Sequence, residues 1–318
     1  MKKRMYLWIC AVCAGLMLSG FQAAAAEVQT TEAVLAEDSE GEASAKEGSE
    51  DDEFLQELVE PNLLDELAAQ YGRVSLTLTV FYTDGTESDW TIYQDNTYYV
   101  SEDEYGIMVD EGGDVYGIDY ETEETYRYLF VGDAYESFRE EMELPSCYAY
   151  SENEQIVSRE VSDGMIYLET VLYYADAPVY LENRAQFGFE ESELVYELTE
   201  FVIDEETNEI LTVNSYAVSN EEMTLFMTTT LNREPEEYVP DEELTGAVSG
   251  EDVSLSVVTD AGTDEEAVYT QTMSEGGTII IQCGNEFDAY YYADPDCTEV
   301  LESIAGYDTV YLKRVDEE

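Results

Sequence analysis

Carboxylates and phenols are the side chains this chain offers for chemistry: it holds 75 Asp and Glu, 27 Tyr and no His. Without imidazole, Ser-His-Asp and Cys-His catalysis and His-ligated zinc sites are excluded. There is also no G-x-x-x-x-G-K-[ST] loop and no G-x-G-x-x-G turn after a strand-like run. Glycoside hydrolysis needs two carboxylates at a fixed separation, but among so many acids a coincidental pair carries no information. The expectation is therefore a protein that is not an enzyme, with a carboxylate-pair hydrolase as the alternative. Oxygen ligands for Ca2+ gather at Asp110-Glu111-Gly112-Gly113-Asp114 and at Asp260 with Asp264-Glu265-Glu266. Neither run is an EF-hand loop, and acids in turns are ordinarily solvated; no metal site, catalytic residue or cofactor is assigned. Tyr98-Tyr99, Tyr173-Tyr174 and Tyr290-Tyr291-Tyr292 invite a sugar- or peptide-binding face, yet neighbours on a strand point to opposite sides, so each pair should place one ring in the core.

The N-terminus reads as an export signal. Met1-Lys2-Lys3-Arg4 is basic, Tyr6 to Met17 is apolar, and Ala23 to Ala26 offer an A-x-A site with cleavage between Ala26 and Glu27. Leu18-Ser19-Gly20-Phe21 has the outline of a lipoprotein signal, with Phe21 where the lipidated Cys would stand. A secreted, extracellular protein is the expectation, with an uncleaved leader serving as an anchor as the fallback. Three of the 12 basic residues and none of the acids lie in residues 1–26, so cleavage takes the formal charge from −63 to −66. That charge excludes nucleic acid, whose binding requires Lys and Arg to displace counterions, and docking on anionic lipid. It favours a cationic partner, and it keeps the chain soluble. Cys147, Cys283 and Cys297 remain after cleavage. Cys283 and Cys297 lie in neighbouring strand-like runs, so a disulfide between them is expected, contributing about 3 kcal/mol in the chain-entropy model.

Residues 27–52 hold almost no large apolar side chains and read as a disordered acidic linker. Phe54, Leu55, Leu58 and Val59 recur at helical spacing; Asn62 caps a second helix lined by Leu63, Leu64, Leu67, Ala68 and Tyr71 and stopped by Gly72. From Arg73 the period becomes two: Val74, Leu76, Leu78, Val80 and Tyr82 alternate with Ser75, Thr77, Thr79 and Phe81. Strands follow at 90–93, 97–101, 105–109, 115–119 and 126–131, then a helix over 134–142 with Asp133 as its cap. A second set runs over 165–174, 194–203, 209–218 and 223–231. Short turns between consecutive strands imply an antiparallel meander. Residues 232–250 read as a linker with little core, and five strands between 253 and 315 make a small C-terminal unit. The fold class is mainly antiparallel β (α+β): a curved, unclosed barrel-like sheet with a few helices over 53–240, plus a small all-β module over 251–318.

The run Leu194-Val195-Tyr196, then Val202-Ile203-Asp204-Glu205-Glu206-Thr207-Asn208-Glu209-Ile210-Leu211, then Leu231-Asn232, resembles the bacterial lipoprotein-carrier family (LolA/LolB-like). The likeness spans residues 62–240. It implies an unclosed antiparallel barrel wrapped over helices that holds an acyl chain in an apolar cavity. No acyl-binding residue transfers position by position. Tyr292-Ala293-Asp294-Pro295-Asp296-Cys297-Thr298 and Asp308-Thr309-Val310-Tyr311-Leu312-Lys313 resemble the end of β-grasp repeats on Gram-positive surface proteins, with Arg314 where those repeats carry Trp. That implies a spacer or adhesive element. The functional expectation is a secreted, acidic binding protein acting as a monomer, with a hydrophobic small molecule or a cell-surface component as its partner. The alternative is a structural or adhesive surface module.

Overall fold

The computed structural model describes residues 63–142, 154–219, 222–284 and 286–315. The leader with Ala26 and Glu27, the linker, the helix expected over 54–59, the Asn62 cap and Cys147 lie outside them. Helix α1 is Leu64–Tyr71; strands β1 to β6 are Arg73–Phe81, Glu87–Asp95, Tyr98–Glu102, Gly106–Glu111, Asp114–Asp119 and Glu124–Val131; α2 is Ala134–Met142. Then come β7 Gln155–Ser162, β8 Met165–Tyr173, α3 Pro178–Ala185, β9 Leu194–Asp204, β10 Ile210–Ser219 and β11 Met223–Asn232. The chain closes with α4 Glu242–Val248, β12 Val253–Thr259, β13 Ala267–Met273, β14 Thr278–Cys283, β15 Phe287–Tyr292 and β16 Thr309–Arg314. The class is the expected one: mainly antiparallel β with a few helices, its large sheets curved and unclosed, and a separate four-stranded sheet from the C-terminal strands. None of the described helices is long and apolar enough to cross a membrane.

Contacts divide the described chain into two units that interleave in sequence, one built up to Trp90 and from Glu154 to Glu234, the other from Thr91 to Met142 and from Pro235 onward. This replaces the contiguous division at 240 to 251. The reason is a strand pairing that local patterning does not reveal: β14 lies parallel to β6, Thr278 opposite Tyr126 through Cys283 opposite Val131.

In the first unit the strand order is β1-β11-β10-β9-β8-β7, antiparallel throughout. The alternation read in β1 is realised, with Val74, Leu76, Leu78 and Val80 buried and their neighbours half-exposed. α1 packs Leu64, Leu67 and Ala68 inward and ends on Gly72 at φ 81°, a left-handed conformation that suits glycine. Leu63 takes the N-cap position with no side-chain cap bond. Inward across the sheet lie Ile166 and Leu168 of β8, Phe201 and Ile203 of β9, and Val213 of β10. A bulge between Ser215 and Tyr216 shifts the phase of β11, so Phe226 is buried as well as Thr229 and Leu231. The opposite face is polar: Tyr216 donates to Glu200 at 2.8 Å and Thr228 to Asn214 at 3.0 Å. β7, missing from the sequence reading, is exposed along nearly its whole length, which is why no buried stripe marks it.

In the second unit β6 serves two layers. Leu129 and Val131 join Leu255, Val257, Phe287, Val310 and Leu312 in one core, while Tyr128 and Phe130 meet Phe138 of α2 at 5.8 and 5.2 Å between ring centroids. The four-stranded sheet has the order β13-β12-β16-β15, and its central pair, β12 and β16, is parallel; the antiparallel rule fails where distant segments meet. The stretch expected as linker folds as α4. Asp241 caps it, accepting from the Leu244 amide at 3.2 Å, and Leu244 and Val248 enter a core with Tyr93, Val100, Val109 and Tyr116. Two apolar residues four apart suffice there because the other faces are solvated.

The Thr229 hydroxyl is 1% exposed and has no hydrogen-bond partner. Thr229→Val keeps the shape and removes the orphaned group, so stability should rise by about 1 kcal/mol in urea unfolding; a lower midpoint would contradict this. The Tyr216 phenol is pushed up to about 12 by burial and by its bond to Glu200. A raised pKa means the protonated phenol is favoured in the folded state, so its contribution to stability is complete below pH 10 and is lost as pH rises toward 12. The Cζ resonance of 13C-labelled Tyr216 should titrate well above that of an exposed tyrosine; coincident midpoints would reject the assignment.

Candidate ligand-binding groove

The most elaborate side-chain arrangement in the first unit surrounds α3, a helix absent from the sequence reading. Pro178 occupies its first position with φ preset for a helix, and its apolar residues are too few to show a period. What holds it is Arg184, whose guanidinium is buried on the sheet. Nε and Nη2 of Arg184 donate to Glu197 Oε2 at 2.9 and 2.6 Å, and the guanidinium carbon lies 4.3 Å from the centre of the Phe226 ring. Burial alone would lower the pKa of Arg184; the Glu197 carboxylate outweighs it and leaves the pKa raised. Burial, and then the charge of Glu197, raise Tyr174.

From this anchor the chain continues through three residues that form a wall. Phe187 stacks on Phe226 (5.8 Å, 24°) and meets Tyr82 edge-on at 5.9 Å; Phe189 meets Phe226 edge-on at 6.2 Å. Gly188 between them has φ 92°, and a Cβ there would collide with Thr83 Oγ1. Thr83 instead clamps the loop: its amide donates to Phe187 O and its hydroxyl to Gly188 O, each at 3.1 Å. The third side is the β10–β11 turn, where the Ser219 amide donates to Glu222 O at 2.8 Å.

Two adjoining open depressions share Gly188, Phe189 and Glu190, and all three segments line only the smaller. One, of about 200 Å³, reaches Leu194, Ala217 and Thr224 at the strand ends; the other, about 700 Å³ and more open, runs along Leu181 and Ala185 of α3. The charged side chains of the lining are Glu190, Glu191, Glu193 and Glu222. The arrangement can take up an apolar group against the Phe189 ring, which buried Phe226 backs, beside a rim of carboxylates.

The residues singled out in the sequence have other roles. Asp110 accepts from the Gly113 amide at 2.8 Å and the Tyr135 hydroxyl at 2.9 Å, with Arg139 3.6 Å away. Asp114 pairs with Arg127, and Asp260 with Arg314 at 3.0 Å. Among the described residues no three His, Cys, Asp or Glu side chains group to hold a metal. Cys283 and Cys297 are free thiols, so the expected bridge is not formed. They sit on different structures: β14 joins the sheet of β6, where Cys283 lies 3.8 Å from the Tyr291 hydroxyl, and Cys297 occupies a turn at φ 50°. The tyrosine pairs divide, with Tyr99 and Tyr174 buried and Tyr173 exposed, but the triplet does not alternate: Tyr290 is exposed and Tyr292, two residues on, is buried, where the β15–β16 register is irregular. The Asp204–Thr207 turn is a fastening: Asp204 accepts from the amides of Glu206 and Thr207, and Arg233 bridges Asp204 and buried Glu209, which also takes the hydroxyl of Tyr71 at 2.7 Å. It secures α1. The groove residues escaped notice because the segments at 83, 188–194 and 217–224 come together only in the fold; the tripeptide Phe187-Gly188-Phe189 was the one local hint.

No family model matches the chain, and it matches no curated protein. Among solved structures it is similar to an uncharacterized conserved protein from Thermus thermophilus, 9% identical with a TM-score of 0.31, over 72% of this chain and 98% of that one. It is also similar to a LolA superfamily protein from Nitrosomonas europaea, 10% identical with a TM-score of 0.24, over 60% of this chain and 96% of the other. Neither likeness defines a shared site.

Removing one partner of the buried pair leaves a charge stranded among aromatic rings. Glu197→Ala should therefore destabilise by about 3–5 kcal/mol, while the double change Arg184→Met with Glu197→Leu should recover most of that loss. A loss under about 1 kcal/mol for the single variant in chemical denaturation would show that α3 is held by something else.

Proposed function

We propose that the protein is an exported, non-catalytic binding protein, released as a monomer once its leader is cut before Glu27, that receives an apolar part of its ligand in the groove beside α3. The observation that supports this most directly is the placement of Gly188 and Phe189 in the groove lining, fixed from behind by buried Phe187 and Phe226 and from the side by Thr83. Binding to surfaces ordered in advance loses little to side-chain immobilisation. Half-exposed Phe189 and Leu181 offer apolar area in a concave setting, the usual character of a small-ligand site. The leader, the acidic balance and the absence of histidine support export and a binding role over catalysis.

A second reading, an adhesive surface module, draws on the outer face of the same sheet, where Tyr167 and Tyr173 are 45% and 42% exposed. The two readings separate on the groove. Nile red, a neutral apolar dye, should bind with a blue-shifted emission, and Leu181→Ser combined with Phe189→Ser should weaken it about 10- to 100-fold, roughly 1.4–2.8 kcal/mol in all for two side chains that are already half-buried. Equal binding by the double variant would turn the choice toward the adhesive module.

A further inference from the structure

From the charge lining the groove we infer that its occupant is a cationic amphipathic peptide, an inference that rests on the binding reading above. The two lobes carry apolar surface from Leu181, Ala185 and Phe189, and the charged side chains that line them among the described residues are glutamates. Glu190 and Glu193 stand on the α3–β9 loop and Glu222 on the β10–β11 turn, so carboxylates face the groove from two separate segments. The guanidinium nearest in sequence, Arg184, is buried and already paired with Glu197. An acyl carboxylate would bring a like charge to this rim. A lone ammonium would answer one carboxylate and leave the larger lobe unfilled. A segment with an apolar stripe on one side and several Lys or Arg on the other answers both features together, in the helix-in-groove manner. The formal charge of −63 adds attraction at long range, raising the encounter rate with any polycation.

That long-range attraction is also the confounding effect, so the test must localise the binding. A fluorescent synthetic helix with Leu on one face and Lys on the other is titrated into the full-length mature protein at physiological salt, and its competition with Nile red is followed. The peptide should displace the dye. Changing Glu190, Glu193 and Glu222 together to Gln should weaken it at least tenfold, while changing the exposed Glu265, Glu275 and Glu302 of the second unit to Gln should change it less than twofold. Equal weakening by the two triple variants would mean diffuse attraction to a polyanion and overturn the inference. So would equal competition by the same helix with Glu in place of Lys. If the dye binds but the Lys peptide fails to displace it, the inference about the ligand falls and the groove reading stands; if the dye does not bind the native protein, both fall.

Discussion

One guanidinium holds the candidate site together. Arg184 lies between the Glu197 carboxylate and the ring of Phe226, both on the sheet, and α3 and its following loop hang from that contact. A buried ion pair is weak as a source of net stability, since desolvating two charges offsets most of their attraction. Its value here is positional. An apolar contact in the same place would let a short helix slide, whereas the two donated bonds fix Arg184 on one oxygen of one residue. Phe187 and Phe189, three and five residues on, inherit that placement, and the Thr83 clamp completes it.

The same logic governs charge elsewhere in the described chain. Arg127 meets Asp114, Arg139 approaches Asp110, Arg233 bridges Asp204 and Glu209, and Arg314 meets Asp260. With 12 basic residues against 75 acids, such pairs neutralise only a small share of the carboxylates. Two of them meet an acid that would otherwise be buried alone: Glu209 is 2% exposed and Asp110 3%. Buried Asp119 and Glu154 are satisfied by hydrogen bonds instead, from the amides of Glu121 and Thr122 and from the Thr170 hydroxyl, and the exposed acids are screened by water and salt. The chain thus tolerates its self-repulsion by assigning scarce cations to the positions where an unpaired carboxylate is most costly.

Local chemistry made much of the fold legible. Alternation in β1, the turn residues of the two strand sets, the Gly72 stop and the Phe138 face of α2 each follow from a few adjacent side chains, and each stands in the structure. The misses share one cause. α3 and α4 are short helices with few buried residues, held by Arg184 against Glu197 and the more distant Phe226, and by Leu244 with Val248 against strands far away in sequence. β7 has no buried stripe, and β14 pairs with β6 across about 150 residues of chain. Cys283 and Cys297 looked adjacent because β14 and β15 are consecutive, yet consecutive strands joined different sheets. Periodicity reports burial of one element's own face; it is silent on which distant element provides the cover.

The groove is the extreme case of that limit. Thr83, Gly188 and Thr224 are ordinary residues singly, and what they form depends on three turns meeting at one end of a sheet. Composition, by contrast, is legible at once and acts at a longer range. In the proposed reading the two divide recognition between them. A strong negative field selects the sign of what approaches but grips nothing, because its interactions are screened within about 10 Å at ordinary salt. Fixed aromatic walls grip through contact but select no sign. Glutamates set on the rim of an apolar groove place both effects at one location, so that the group drawn in by charge arrives where an apolar face can be buried. A protein with either feature alone would be a polyelectrolyte or a greasy surface; the juxtaposition is what makes discrimination between ligands physically available.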